Sequence, residues 1–366
     1  MRQIYLDSNA HVPINEKALQ KMISLNSSIA GHGHAMSKSE PGRKAALEIE
    51  RGREKIAKLI GADNAGQIIF TSTCSQACEW AIYLLSNLYE SVHISQSEHS
   101  SVKYAVHNYF SKIIDIPINQ HGITSTYELN SDEPIVCIHV QNEIGTIQPI
   151  NNFSYHYGKP FIVSDMSQTL GKIPLDMKKF PNIEMAMFGA HKFGGPPGVG
   201  FLFIRDTGIW KEFGTGSRYF LDRTGTPDML LIAATSVALE EAIRTIPIRY
   251  ENMINFRNIL EAGLKDLSWG IIGEKGNRVP NTTYGKVANN LGTTLMVQLG
   301  GEGIHIGLGS ACGGISNGPT PLMAAMGQGG GSQNYVRISQ FGEYGADEAR
   351  FVLDKIRRYC REKPID

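Results

Sequence analysis

Between residues 44 and 60, apolar side chains recur at Ala45, Leu47, Ile49, Ile56, Ala57 and Ile60 among charged positions. That spacing predicts a helix rather than a strand. Short, nearly continuous apolar runs then follow at Ile68–Phe70, Val92–Ile94, Ile135–Ile138, Phe161–Val163, Met185–Phe188 and Phe201–Ile204. Most are separated by stretches long enough for a helix. Strands apolar on both faces and alternating with helices predict a mostly parallel sheet covered on both sides, with ligands bound beyond the carboxyl ends of its strands. After about residue 245 the pattern changes to a long polar helix over roughly 247–267, followed by segments near 278–298, 304–308, 335–339 and 346–360. These predict a smaller α+β unit. The expected organisation is a large α/β domain over 15–245 and a small domain over 246–366.

Charge and cysteine usage narrow the function classes. Thirty-five basic residues balance thirty-five acidic ones, so the chain carries no general electrostatic footprint for nucleic acid or an anionic membrane. No direct nucleic-acid binding is expected. No apolar run approaches the eighteen or so residues that span a bilayer, and the amino terminus Met-Arg-Gln-Ile-Tyr-Leu-Asp lacks a signal-peptide pattern. A cytoplasmic protein without a membrane anchor is the expectation. The five cysteines, Cys74, Cys78, Cys137, Cys312 and Cys360, are odd in number and lack metal-finger spacing, which predicts reduced thiols. Cys74 and Cys78 would share a helix face; with no third ligand nearby in sequence the pair is assigned to packing, and no metal is expected.

Candidate chemistry begins with Lys192, in Phe188-Gly-Ala-His-Lys192-Phe-Gly-Gly-Pro-Pro-Gly-Val-Gly200. A lysine held in a Gly/Pro-rich loop between two predicted strands suits a Schiff base to pyridoxal 5'-phosphate. The other parts of such a site have candidates in order. Ile68-Ile-Phe-Thr-Ser-Thr-Cys74-Ser75-Gln76 reads as a strand entering a hydroxyl-rich turn and a helix, whose first N–H groups can bind a phosphate; the same residues also read as an ordinary N-cap. Asp165, at the end of an apolar strand, can pair with a pyridinium nitrogen or simply form a turn. His99 can stack on the ring, and Arg337, alternating with apolar neighbours, can grip a substrate carboxylate or make a salt bridge.

Taken together these segments resemble class V pyridoxal-phosphate aminotransferases, and more narrowly the cysteine desulfurases of the NifS/IscS type. The resemblance keeps its order from Tyr5-Leu-Asp7 through Phe70-Thr-Ser72, Glu98-His99, Gln141-Asn142-Glu143-Ile-Gly145, Asp165-Met-Ser-Gln168, His191-Lys192, Arg223-Thr-Gly-Thr226 and Gly309-Ser-Ala-Cys312 to Val336-Arg-Ile-Ser339. It implies a fold type I, aspartate aminotransferase-like large domain, with residues 1–14 joining the small carboxyl-terminal domain. It implies that Lys192 carries the cofactor, His99 stacks on it, Asp165 faces its nitrogen and Gln168 its phenolic oxygen. Asn142 would serve cofactor and substrate, and Cys74, Ser75 and His191 the phosphate, with Thr226 supplied by the second subunit of a homodimer with shared active sites. Cys312 would take sulfur from L-cysteine as a persulfide, for a protein acceptor whose identity the sequence leaves open. Gly313 and Gly314 give the chain freedom beside that thiol.

Several positions depart from the family pattern. His34 stands where an asparagine is expected to bind substrate, and is the candidate substrate residue in its place. Gly189 replaces a serine two residues before His191, and Thr73-Cys74-Ser75-Gln76 replaces the usual Gly-Ala-Thr-Glu. The chain ends soon after the last predicted helix, where longer relatives extend to meet an iron–sulfur scaffold, so the sequence leaves that partner open beside tRNA, a thio-cofactor or a DNA-modification system. Two alternatives stand beside the desulfurase: another class V enzyme such as a C–S β-lyase or aminotransferase, and a noncatalytic pyridoxal-binding partner protein.

Overall fold

The computed structural model describes residues 2–126, 128–129, 133–155, 158–213, 226–287, 291–309 and 318–361. All six apolar runs form strands of one seven-stranded sheet, in the spatial order Ile68–Thr71, Gly200–Ile204, Ile183–Gly189, Ile162–Asp165, Ile135–Val136, Ser91–Ser95 and Lys112–Ile116. Gly200–Ile204 runs antiparallel to both neighbours, and every other pairing is parallel. The edge strand Lys112–Ile116 escaped the apolar pattern because it leaves Lys112 and Asp115 exposed. Exposed charges are expected on an edge and blunt it against further pairing.

Both faces of the sheet are covered. Along Gly200–Ile204, Phe201 and Phe203 enter one apolar layer with helices Glu16–Asn26, Glu40–Ile60 and Met229–Arg244. Leu202 and Ile204 enter the other, with helices Cys74–Leu88 and Ser100–Tyr109. Period-2 alternation therefore sends one strand's side chains into two cores, which is why the runs lack polar positions. Helix Glu40–Ile60 begins earlier than the apolar spacing predicted. Ser39 accepts the Gly42 N–H, Pro41 occupies the first turn, and Gly61 ends the helix at φ 75°.

Past residue 245, helix Ile246–Asp266 takes the place of the predicted polar helix. Strands Gly270–Ile271, Thr282–Lys286 and Tyr335–Ser339 form an antiparallel sheet. Helices Ile246–Asp266, Leu291–Gly301 and Ala346–Arg361 share an apolar cluster with Val336 and Ile338 of that sheet. Ile4–Leu6 pairs in parallel with Ile304–Ile306, and Ile4 and Leu6 are buried in the same cluster. The chain's first strand thus packs some 300 residues away, and the stretch following it, Asp7 to Ala10, passes the carboxyl ends of the large sheet.

Candidate active site

A cavity of about 150 Å³ opens where the large sheet's carboxyl ends meet Asn9 and Arg337. Lys192 reaches it from the turn Ala190–Lys192, which follows strand Ile183–Gly189. Its Nζ donates to the carbonyls of Asn9 and Ala10, both at 2.8 Å. Asp165 is the last residue of its strand, and its Oδ1 accepts the Ser167 N–H at 2.9 Å. That bond fixes the carboxylate at the cavity wall. Gln168, His191 and Asn142 also line the cavity.

The hydroxyl-rich turn supports both readings offered for it. Thr73 Oγ1 accepts the Gln76 N–H at 3.1 Å, an ordinary cap. The cap leaves the N–H groups of Cys74 and Ser75, which the first turn of a helix cannot pair internally, and both residues line the cavity. Gln76 turns away: its Oε1 accepts from the Ser72 N–H at 2.8 Å and from Ser72 Oγ at 3.0 Å. Gly189 also has a local cause. A Cβ there would lie 3.2 Å from both Cys74 Cβ and His191 Cε1, so the glycine lets the turn after Thr71 and the His191 ring pack closely.

His99 caps helix Ser100–Tyr109, with its Nδ1 accepting the Ser101 N–H at 3.2 Å. Burial lowers its pKa from the usual histidine value, against the opposing pull of Asp165. A neutral ring whose Nδ1 accepts carries its proton on Nε2. His191 is pushed down to about 4 by burial, then by Lys192 and His11, so it too is neutral at physiological pH. Glu98, buried beside these groups, is raised to about 8 by burial first and by the Asp165 charge second. The wall therefore carries few competing charges around Lys192 and Asp165.

The opposite wall has Asn142, Gln168 and Arg337, which the sequence offered, and Asn9 and Lys172, which it did not. Asn9 is its hub: Nδ2 donates to the Asn142 carbonyl at 3.1 Å and to Thr282 Oγ1 at 2.9 Å, while its own carbonyl accepts from Gln168 Nε2 at 2.9 Å. Its Oδ1 accepts from Lys172 Nζ at 2.7 Å. Lys172, fully buried, also donates to Gln168 Oε1, and burial together with Lys192 holds its pKa well below the usual lysine value. The only hint of it in the sequence is a lysine inside an otherwise uncharged stretch, Thr169 to Leu175. Arg337 donates to Asp7 Oδ1 at 2.7 Å and to the Asn142 carbonyl at 3.2 Å; its Nε has no hydrogen-bond partner among the described residues. The salt bridge and the cavity position occur together.

Two candidates lie apart from this cavity. His34 and Thr226 are outside its lining, and His34 Nε2 lies 3.0 Å from Thr226 Oγ1 within one chain. Cys312 lies outside the described residues, as do Gly313, Gly314 and Arg223. The flanks of residues 310–317 both approach Glu143, which neighbours Asn142. Thr320 Oγ1 donates to Glu143 Oε2 at 3.3 Å, and a Cβ on Gly309 would lie 3.4 Å from the same oxygen.

A strand-end carboxylate, a loop lysine, a helix start and a buried arginine around one cavity define an α/β enzyme site of the kind that binds a phosphorylated cofactor. The model of the family described as aminotransferase class-V matches residues 4–349, and the chain belongs to that family. It is 30% identical over 346 residues to a protein named cysteine desulfurase IscS from Dictyoglomus turgidum, covering 89% of this chain and 86% of that one. A solved structure titled NifS-like protein superposes with a TM-score of 0.83 at 26% identity, covering 99% of this chain and all of the other (100%). The apo structure of a cysteine desulfurase from Thermococcus onnurineus gives the same TM-score of 0.83 at 18% identity, covering 99% of this chain and 95% of that one, and so speaks to the fold. The architecture is the fold type I arrangement.

Proposed function

We propose that this chain is a pyridoxal-phosphate-dependent cysteine desulfurase, converting L-cysteine to L-alanine and leaving the sulfur on Cys312 as a persulfide. The observation that carries this reading is the convergence of Lys192, Asp165, His99 and the first N–H groups of helix Cys74–Leu88 on one cavity edged by Arg337. These residues fit the cofactor group by group: the helix start for its phosphate, with Ser75 and His191 beside it, Asp165 for its ring nitrogen, the neutral His99 ring for its face, and Lys192 for its aldehyde. The bound cofactor supplies an electron sink next to the substrate's α-carbon. Arg337 and Asn142, which line the cavity, receive the substrate carboxylate. Gln168, held by Asn9 and Lys172, would serve the cofactor's phenolic oxygen.

The carbon–sulfur bond of cysteine breaks, its sulfur joins Cys312 Sγ, and alanine leaves with the proton that replaces it. Lys192, hydrogen-bonded to two carbonyls, is the group placed to move that proton. Support for Cys312 comes from its position between two flanks that meet Glu143, beside the cavity residue Asn142. The reading extends to a homodimer in which Thr226 serves the neighbouring subunit's site, to a cytoplasmic location, and to a protein acceptor for the persulfide. Among the described residues no helix is long and apolar enough to cross a membrane.

Anaerobic incubation of the cofactor-loaded protein with L-cysteine tests the reading. Alanine should appear with one sulfur added to the Cys312 peptide, and Cys312→Ser should abolish both. Pyruvate and ammonia, with turnover intact in Cys312→Ser, would overturn it in favour of a β-lyase.

A further inference from the structure

Cys74 and Cys78 occupy the first turns of helix Cys74–Leu88, and their sulfurs lie 4.0 Å apart. Tertiary structure supplies the third group that the sequence lacked. A carboxylate oxygen of Asp165, from the end of a different strand, joins the two sulfurs in a cluster whose ligand atoms all lie within 4.8 Å of one another. Cys78 and Asp165 are buried, and Cys74 is half-buried at the cavity wall. Ser167 Oγ lies 2.9 Å from Cys74 Sγ, and its backbone N–H holds Asp165 Oδ1 at 2.9 Å, so one residue orients two members of the cluster.

Two chemistries suit a close thiol pair, and geometry separates them. A disulfide needs Cβ atoms about 3.5–4.5 Å apart. Residues four apart on an intact helix hold them at about 5–6 Å, so the bond would require the helix start to unwind. A tetrahedral zinc ion with bonds of about 2.3 Å to sulfur separates two thiolates by about 3.8 Å and needs no such movement. Two sulfurs and one oxygen select a borderline-soft divalent cation over magnesium or calcium. Two of the three residues, Cys74 and Asp165, line the cavity.

We infer that Cys74, Cys78 and Asp165 form a zinc-class metal site that overlaps the cofactor site, so that metal and pyridoxal phosphate exclude one another. The exclusion rests on the reading of Asp165 and the Cys74 turn as cofactor-binding; the metal site does not. The metal takes both thiols as thiolates, releases their protons and uses the Asp165 carboxylate that the ring nitrogen would otherwise meet. No redox step is involved. The site would hold cofactor-free protein in a form that pyridoxal phosphate loads only after the cation leaves.

Cobalt(II) added to the full-length, cofactor-free protein is the probe, because thiolate coordination gives it charge-transfer bands in the near ultraviolet. The bands are expected in the unsubstituted protein and in Cys137→Ala, a buried cysteine outside the cluster. Cys78→Ala, which does not line the cavity, should weaken cobalt binding by about 100-fold or more while binding pyridoxal phosphate normally, which also shows that it folds. Prior loading with pyridoxal phosphate should remove the bands in the unsubstituted protein, and excess zinc should slow cofactor loading. Absence of the bands, or their persistence in Cys78→Ala, would overturn the metal site. Persistence at full cofactor occupancy would overturn the exclusion. A chain that takes cobalt but no pyridoxal phosphate would break the cofactor reading and the exclusion with it, leaving the metal site standing.

Discussion

The two walls of the cavity are built on different principles. One is local: Asp165, Lys192, Cys74 and Ser75 each sit within a few residues of a strand end, so the sheet delivers them to one edge. The other is a knot of long-range contacts, in which Asn9 meets Lys172 and Gln168, and Arg337 meets Asp7, across at least 159 residues of sequence. Along the first wall the backbone positions follow from single strand ends, while Lys192 Nζ and Cys74 Sγ also meet Asn9, Ala10 and Ser167 from elsewhere in the chain. The second behaves as a unit, because removing one member leaves buried polar partners unpaired. Local geometry carries one wall's side chains to the cavity edge, and a buried polar network holds the other.

The largest effect is expected at Lys192. Replacing it with alanine should lower alanine formation by about 10³-fold and remove the visible absorption of lysine-bound cofactor, with little change in thermal stability. A large loss of stability instead would mean that the local wall is as interdependent as the other.

Arg337→Ala should affect both function and folding. It leaves Asp7 without its cation, at a cost of about 3 kcal/mol in stability, and should raise the KM for L-cysteine by about 100-fold more than it lowers kcat. Asp7→Asn keeps the arginine and should shift KM by far less. Equal KM values for the two variants would reduce Arg337 to a structural role.

Lys172→Met separates positioning from charge. The folded chain holds Lys172 with a pKa well below the usual 10.5, whereas the unfolded chain takes up its proton at that value. Its contribution to stability is therefore present at high pH and lost as pH falls through the folded value. Methionine should flatten that dependence in chemical denaturation, and should lower kcat/KM about tenfold by loosening Gln168.

Glu98→Gln is the mildest probe. With a folded pKa of about 8 against 4.5, Glu98 stabilises most at low pH, and that contribution fades as pH rises through 8. Glutamine should match glutamate near pH 4 and be the more stable of the two above pH 8. Denaturation midpoints that move in parallel across this range would show that Glu98 does not hold its proton.

The legibility of the sequence follows the same division. Six strands were readable as apolar runs because burial on both faces removes polar positions; the seventh, Lys112–Ile116, lies on the edge and was not. The residues of the local wall were readable because strand-end position and motif coincide in sequence. Asn9 and Lys172 were not, since a single asparagine or lysine carries no mark of the partners it will meet. His34 was singled out by a missing asparagine, yet lies with Thr226 outside the cavity lining. Cys74 and Cys78 were read as a packing pair for want of a third ligand, and strand Ile162–Asp165 brings one to them.

By itself the sequence determined the order of strands and helices, the two apolar faces of the large sheet, and the short motifs that bring Lys192, Asp165 and His99 to its carboxyl edge. Those features depend on side-chain periodicity and on turns of a few residues, which a local stretch of chain encodes completely. Only the tertiary structure decided that Asn9 would bind Lys172, that Asp7 would hold Arg337, and that Asp165 would face two cysteines. Such meetings depend on strand order and register across hundreds of residues, where the free energy belongs to the packed whole and no local pattern records it.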